Sequence, residues 1–172
     1  MQNAEERFDK VIIAAHADQA FRLLSDPSDD ETRLLSVWKY ASNRTILHSD
    51  PSFLPPVRRA WACWNYVRAA GVQNDAPVTL TYDMTRLQCL PCNDRICVTL
   101  NPWKQVSQAR TIREFTYDHP MYNFDALQSQ QALPSLNGRN NTYFCGSYFG
   151  YGFHEDAVRS AVDIGKLFAI EL

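Results

Sequence analysis

The apolar positions along the chain change period twice. Phe8 to Ala15 contains the unbroken run Val11-Ile12-Ile13-Ala14-Ala15, which predicts a strand covered on both faces, as in a parallel sheet. Ala17, Ala20, Phe21 and Leu24 then recur at helical spacing and predict a short helix ending near Asp26-Pro27. Ser28 and Glu31 have the spacing of a capping box, so a second helix is expected through Leu34, Leu35 and Trp38. From Asn43 to Tyr117 the pattern becomes alternation between turn signals. Arg44 to Ser49 is the first expected strand, and Asp50-Pro51 and Pro55-Pro56 break the chain after it. Ala60 to Val67 is the second, with Trp61 and Cys63 on one face and Trp64 and Tyr66 on the other. Val78, Leu80, Tyr82 and Met84 alternate with Thr79, Thr81 and Asp83 as a half-buried strand, and Ile96 to Leu100 and Ile112 to Tyr117 complete the set. Five strands without helix-length segments between most of them predict an antiparallel sheet.

Beyond this region the helical period returns. Asn123 caps an expected helix carrying Phe124, Ala126, Leu127 and Leu133, stopped by Pro134, and Asn137-Gly138 makes a turn. Thr142 to Cys145 reads as a short strand ended by Gly146, and Gly150 and Gly152 turn the chain into a final helix. Val158, Ala161, Val162, Gly165, Phe168 and Leu172 share one face of it, with Arg159, Ser160, Asp163 and Lys166 on the other. The two ends, FDKVIIAA and TYFCG, are expected side by side in one sheet. The fold class that follows is α+β: an antiparallel sheet plus helices, with a small strand-and-helix unit built from the termini.

Composition changes this picture little. A net charge of −2 over 172 residues gives no reason to expect nucleic acid or an anionic membrane as partner. No apolar run approaches the roughly 20 residues of a spanning helix, and MQNAEERFDK has none of the character of a signal peptide, so a cytoplasmic protein without a membrane span is expected. Five cysteines, an odd number, favour free thiols. Cys89-Leu-Pro-Cys92 has a spacing used by zinc and dithiol sites. No second pair accompanies it, His16, His48, His119 and His154 are scattered singly, and the motif falls in a loop between strands, so no metal is expected. His16, at the C-terminal end of the first strand, reads as a capping or loop histidine before a ligand.

The stretch YFCGSYFGYGFHEDAVRSAVDIG carries the strongest candidate chemistry. On spacing alone a glycine turn between strand and helix is common in α/β proteins. The segment also resembles the C-terminal flavin-contacting segment of the FAD-dependent amine oxidase-like family, nearest to its bacterial branch of NAD/FAD-binding oxidoreductases. There a strand ends in glycine plus an acidic residue, and a Gly-aromatic-x-Glu-Gly-Ala turn opens a helix whose first amides face the flavin ring. Gly146 matches the strand-ending glycine, and Gly152, Phe153, His154, Glu155 and Ala157 match the turn. Ser147 stands where many members have the acidic residue, and Asp156 stands where they have the second glycine. VIIAAHADQAFRLL resembles the stretch by which family members return from the substrate domain and leave again.

The resemblance implies FAD as cofactor, with Gly146, Ser147, Gly152, Phe153, His154 and Glu155 as cofactor-binding positions and the backbone amide of His154 as the contact there. It implies a substrate cage walled by Phe153, which Tyr148, Phe149 and Tyr151 would extend; for Trp61 and Trp64 plain core packing is expected. It identifies no catalytic acid or base. It divides the chain into a remnant of the FAD-binding domain, 1–40 and 137–172, and a substrate-binding sheet domain, 41–136. The family's G-x-G-x-x-G motif is absent from a sequence with six glycines. The expectation is therefore the substrate-binding C-terminal portion of an oxidoreductase that passes hydride from an apolar or amine substrate to flavin. Three alternatives stay open for the missing dinucleotide-binding half, a truncated gene, a fragment of a longer protein or a separate partner chain that carries it, and without that half the chain is expected to be inactive. The alternative is a non-catalytic binding or assembly module that forms a homodimer through exposed sheet edges.

Overall fold

A computed structural model describes residues 5–68 and 78–170; Leu172 of the expected helical stripe lies outside them. The chain runs β1 (Val11–Ala14), α1 (Ala17–Leu23), α2 (Asp29–Leu35), β2 (Lys39–His48), β3 (Trp64–Val67), β4 (Thr79–Asp83), α3 (Met84–Leu87), β5 (Cys97–Leu100), β6 (Thr111–Met121), α4 (Phe124–Gln130), β7 (Thr142–Cys145) and α5 (His154–Leu167). The fold is α+β, with a two-stranded parallel sheet β1-β7 and a five-stranded antiparallel sheet in the order β3-β4-β5-β2-β6. Among the described residues no helix is long and apolar enough to cross a membrane. The chain forms two compact units, 1–41 with 120–172, and 42–119. Residues 120–136, expected with the sheet, belong to the unit built from the termini, because α4 buries Ala126 and Ser129 against that unit's core.

In the unit of the termini, β1 and β7 pair in parallel, Ile12 opposite Tyr143 and Ile13 opposite Phe144. Ile13, Phe144 and Tyr148 pack with Ala17, Ala20, Leu34, Leu35 and Trp38 in one core cluster. Trp38, past the end of α2, is 1% exposed, and its indole N–H donates to Ser129 Oγ at 3.0 Å, which satisfies the one polar atom its burial would strand. The Ser28 capping box forms as its spacing predicts: Glu31 N donates to Ser28 Oγ at 3.3 Å, and Ser28 N donates to Glu31 Oε2 at 2.8 Å. Asn123 Oδ1 caps α4 through Ala126 N at 2.8 Å. On the opposite face of the β1-β7 pair, Tyr143 and Cys145 meet Ile164 and Phe168 of the α5 region. That helix covers β7 more than β1. Val11 and Ile12 remain 45% and 50% exposed, so the double coverage expected for β1 reaches only Ile13.

The face that α5 buries also differs from the expected one. Asp156, Ser160 and Ile164 are the buried positions, whereas Val158 is 56% exposed and Ala161 is exposed too. Periodicity placed the helix correctly, but its inward face is rotated by about one residue. The cause is polar: Asp156 and Ser160 are drawn inward to satisfy backbone groups of the preceding turn.

The sheet unit inverts its expected faces in the same way. β4 alternates as predicted, but Thr79, Thr81 and Asp83 are buried, while Val78 is 52% exposed and Leu80 and Tyr82 are half-buried. The register places Asn65, Thr81, Thr99 and Ile46 across the buried face, with Asp83, Cys97 and His48 in the next row. Phe53 and Val106 join Ile46 in an apolar cluster. The buried polar groups are paired: Thr81 and Thr99 hydroxyls lie 2.9 Å apart, Thr99 Oγ1 is 2.8 Å from His48 Nε2, and Asn65 Nδ2 donates to the Thr81 carbonyl at 3.2 Å. The second expected strand shrinks to β3, since Arg58–Ala60 forms a 3-10 turn and Trp61 lies outside the sheet. Trp64, expected in a core, is 58% exposed.

Candidate functional site

The glycine turn between β7 and α5 is held by side chains from the unit around it. After Gly146 the chain makes a short 3-10 turn, Ser147–Phe149, closed by Phe149 N donating to the Gly146 carbonyl at 3.1 Å. Gly150 N and Gly152 N both donate to the Ser147 carbonyl at 3.1 Å. Tyr151 N and Phe153 N both donate to Asp156 Oδ2 at 3.0 Å, so one carboxylate closes the turn and caps the helix. The Ser160 hydroxyl accepts from Gly146 N at 2.9 Å and donates to the Ala157 carbonyl at 2.7 Å. From α4, Gln130 Nε2 donates to the Tyr148 and Gly150 carbonyls at 2.9 and 2.6 Å, and Tyr122 donates its hydroxyl to the Gly150 carbonyl at 3.1 Å. Burial, with Asp156 nearby, pushes the Tyr122 phenol up to about 12, which keeps it a donor.

These contacts place each expected residue. A Cβ on Gly146 would sit 2.7 Å from the Tyr148 ring, one on Gly150 would overlap the Asp156 carboxylate, and one on Gly152 would sit 2.9 Å from the Tyr122 hydroxyl. Gly152 also has φ +92°, a conformation that other residues resist. The glycines are thus required by the chain's own packing. Ser147 is half-buried and opens the 3-10 turn. Tyr148 is 1% exposed and stacks at an angle on Trp38 and Phe149, with centroids 5.7 and 4.9 Å away, so it belongs to the core. Burial raises its phenol strongly, and its hydroxyl has no hydrogen-bond partner among the described residues. Phe149 is half-buried against the same core. Tyr151 and Phe153 are 78% and 68% exposed, and His154 and Glu155 are exposed beside them as the first two residues of α5.

Sequence reasoning missed Asp156, Ser160, Gln130 and Tyr122 as the residues that build the turn. One signal for Asp156 was available: an acid three residues after the helix-capping position. The others act from elements whose approach no local pattern encodes. His16, at the end of β1, precedes α1 as its capping residue and stacks on Tyr40 at 4.5 Å with an interplanar angle of 8°. Cys89 and Cys92 are exposed in the loop after α3. Among the described residues no three His, Cys, Asp or Glu side chains gather as a metal cluster.

The flavin that the resemblance implies would meet one set of backbone donors at this turn. The amides of His154 and Glu155, the first two of α5, have no acceptor within the helix and are flanked by the exposed ring of Phe153. A ring edge bearing carbonyl oxygen or ring nitrogen suits those donors. A pyrophosphate does not, because Glu155 and Asp156 bring negative charge to the same turn. No protein-family model matches this chain, and no curated protein sequence matches it.

Proposed function

We propose that this chain is the C-terminal, substrate-binding portion of an FAD-dependent, amine oxidase-like oxidoreductase. The observation that carries the reading is the unit of the termini: two distant segments meet as a parallel strand pair, and one of them passes through a glycine turn into a helix. Val11 and Ile12, half-exposed on β1, suit a parallel sheet that further polypeptide extends and covers. FAD, when bound, accepts hydride from a substrate carbon. The amides of His154 and Glu155 would hold and orient the ring edge. Phe153 and Tyr151 would wall an apolar or amine substrate and exclude water. The pyrophosphate would be held by a dinucleotide-binding half, whose G-x-G-x-x-G motif this sequence does not contain.

The test is an absorbance and fluorescence titration of the purified chain with FAD, alone and with a polypeptide carrying that motif. Saturable quenching with a shifted flavin band in either mixture supports the reading. A folded chain that leaves flavin unchanged in both overturns it. A second reading, a non-catalytic module that dimerises through β1, is favoured by the exposure of Val11 and Ile12, which a second copy would cover. Sedimentation showing a dimer that Val11→Lys dissociates, with no flavin bound, would replace the first reading by this one.

A further inference from the structure

We infer that the sheet unit carries a separate oxyanion-binding cavity, built from Arg58, Arg95 and Arg110 beside Trp61, that takes the phosphate or carboxylate group of a small acidic molecule. The cavity has a volume of about 310 Å3 and lies among segments that follow β2, precede β3 and β5, and precede β6. That volume exceeds a bare phosphate ion and suits a small organic acid or phosphate ester. It does not depend on the flavin reading, since every lining residue belongs to the sheet unit.

The electrostatics favour an anion. Three guanidinium groups line the cavity with the carboxylate of Asp94; Asp83 engages Arg95 and Asp50 acts on Arg110 from outside the lining. Arg95 pairs with the buried Asp83, Nη1 to Oδ2 at 3.1 Å, which anchors it while leaving its other N–H donors unassigned. Arg110 Nη1 donates to the Ser49 carbonyl at 3.4 Å, a neutral partner. Although burial acts to raise it, the Asp50 carboxylate lies close enough to Arg110 to be held below its usual range partly by that guanidinium, which offsets part of the Arg110 charge. The guanidinium carbons of Arg58 and Arg95 lie 5.5 and 5.2 Å from the Trp61 ring centre, and the indole N–H is fixed to the Pro55 carbonyl at 2.7 Å. Trp61 therefore holds two of the lining cations by cation–π attraction. Arginine's planar fork matches phosphate and carboxylate oxygens two at a time, so the donors of Arg58 and Arg110 suit an oxyanion that enters the cavity.

The cheap alternative is an arginine cluster that only anchors loops, and titration separates the two. The full chain is titrated at low ionic strength with phenyl phosphate and with benzoate, heat and tryptophan fluorescence being followed together. Saturable binding to at least one anion is expected, weakened about tenfold or more by Arg58→Gln and by Arg110→Gln, both surface changes, and with its fluorescence signal lost in Trp61→Phe. Tighter phenyl phosphate assigns a phosphate ligand, and tighter benzoate assigns a carboxylate. Absence of saturation with both anions, or binding that the two arginine variants leave unchanged while circular dichroism shows them folded, overturns the proposal.

Discussion

Asp156 Oδ2 lies 3.0 Å from the backbone nitrogen of Phe153 and 3.0 Å from that of Tyr151, so a single buried carboxylate both caps α5 and closes the turn before it. Asp156→Ala would leave two amides without their acceptor, at a cost of about 1–3 kcal/mol in unfolding free energy. Asp156→Asn keeps an oxygen at the same place and recovers most of that loss. Urea denaturation of the two variants checks this; equal stability of Asp156→Ala and the parent would show that the cap contributes nothing.

Gly152 faces two separate obstacles to a side chain, its φ of +92° and the Tyr122 hydroxyl. Gly152→Ala is expected to destabilise the fold by about 1–3 kcal/mol. Removing the hydroxyl in Gly152→Ala/Tyr122→Phe relieves the clash but not the backbone strain, so recovery is partial. Full recovery in the double variant would assign the whole cost to the clash.

The Tyr148 hydroxyl is buried without a partner among the described residues, a cost the native fold carries. Tyr148→Phe should therefore be neutral or stabilising by up to about 1 kcal/mol, unlike most core substitutions. A melting temperature lowered by several degrees would mean that the hydroxyl has a partner, such as a bound water.

His48 makes stability depend on pH. Its Nδ1 accepts from Asp50 N at 3.1 Å, so the neutral ring carries its proton on Nε2, 2.8 Å from Thr99 Oγ1. Burial is the larger influence and holds its pKa below 6.5, with Asp50 opposing. Below pH 6.5 the unfolded chain takes up a proton that the folded chain refuses, so this contribution is whole above that pH and declines as pH falls beneath it. The slope cannot exceed about 1.4 kcal/mol per pH unit for one proton. Denaturation between pH 8 and 5.5 should show the decline, and His48→Gln should abolish it. A slope unchanged in that variant would assign it to other groups.

Local signals in the sequence were sufficient for most of the elements and for their pairing class, although α3 begins at Met84, where the β4 alternation was expected to continue. The Ser28–Glu31 box, the Asn123 cap, the alternation of β4 and the glycine-ended strand before α5 all depend on neighbours a few residues away, and all formed as expected. The pairing of the two termini was legible as well, because an apolar run such as Val11–Ala14 needs a partner strand. Which face of each element turns inward was decided only by the tertiary structure. Ser160 lies inward on α5 because Gly146 N needs an acceptor, and Thr81 lies inward on β4 because Thr99 and His48 complete a hydrogen-bonded row with it. Hydrophobic patterning assumes that polar groups face water. A polar side chain whose partners arrive from distant segments is stable in the interior, and those partners, such as Tyr122 and Gln130 at the turn, come together only when the chain has folded.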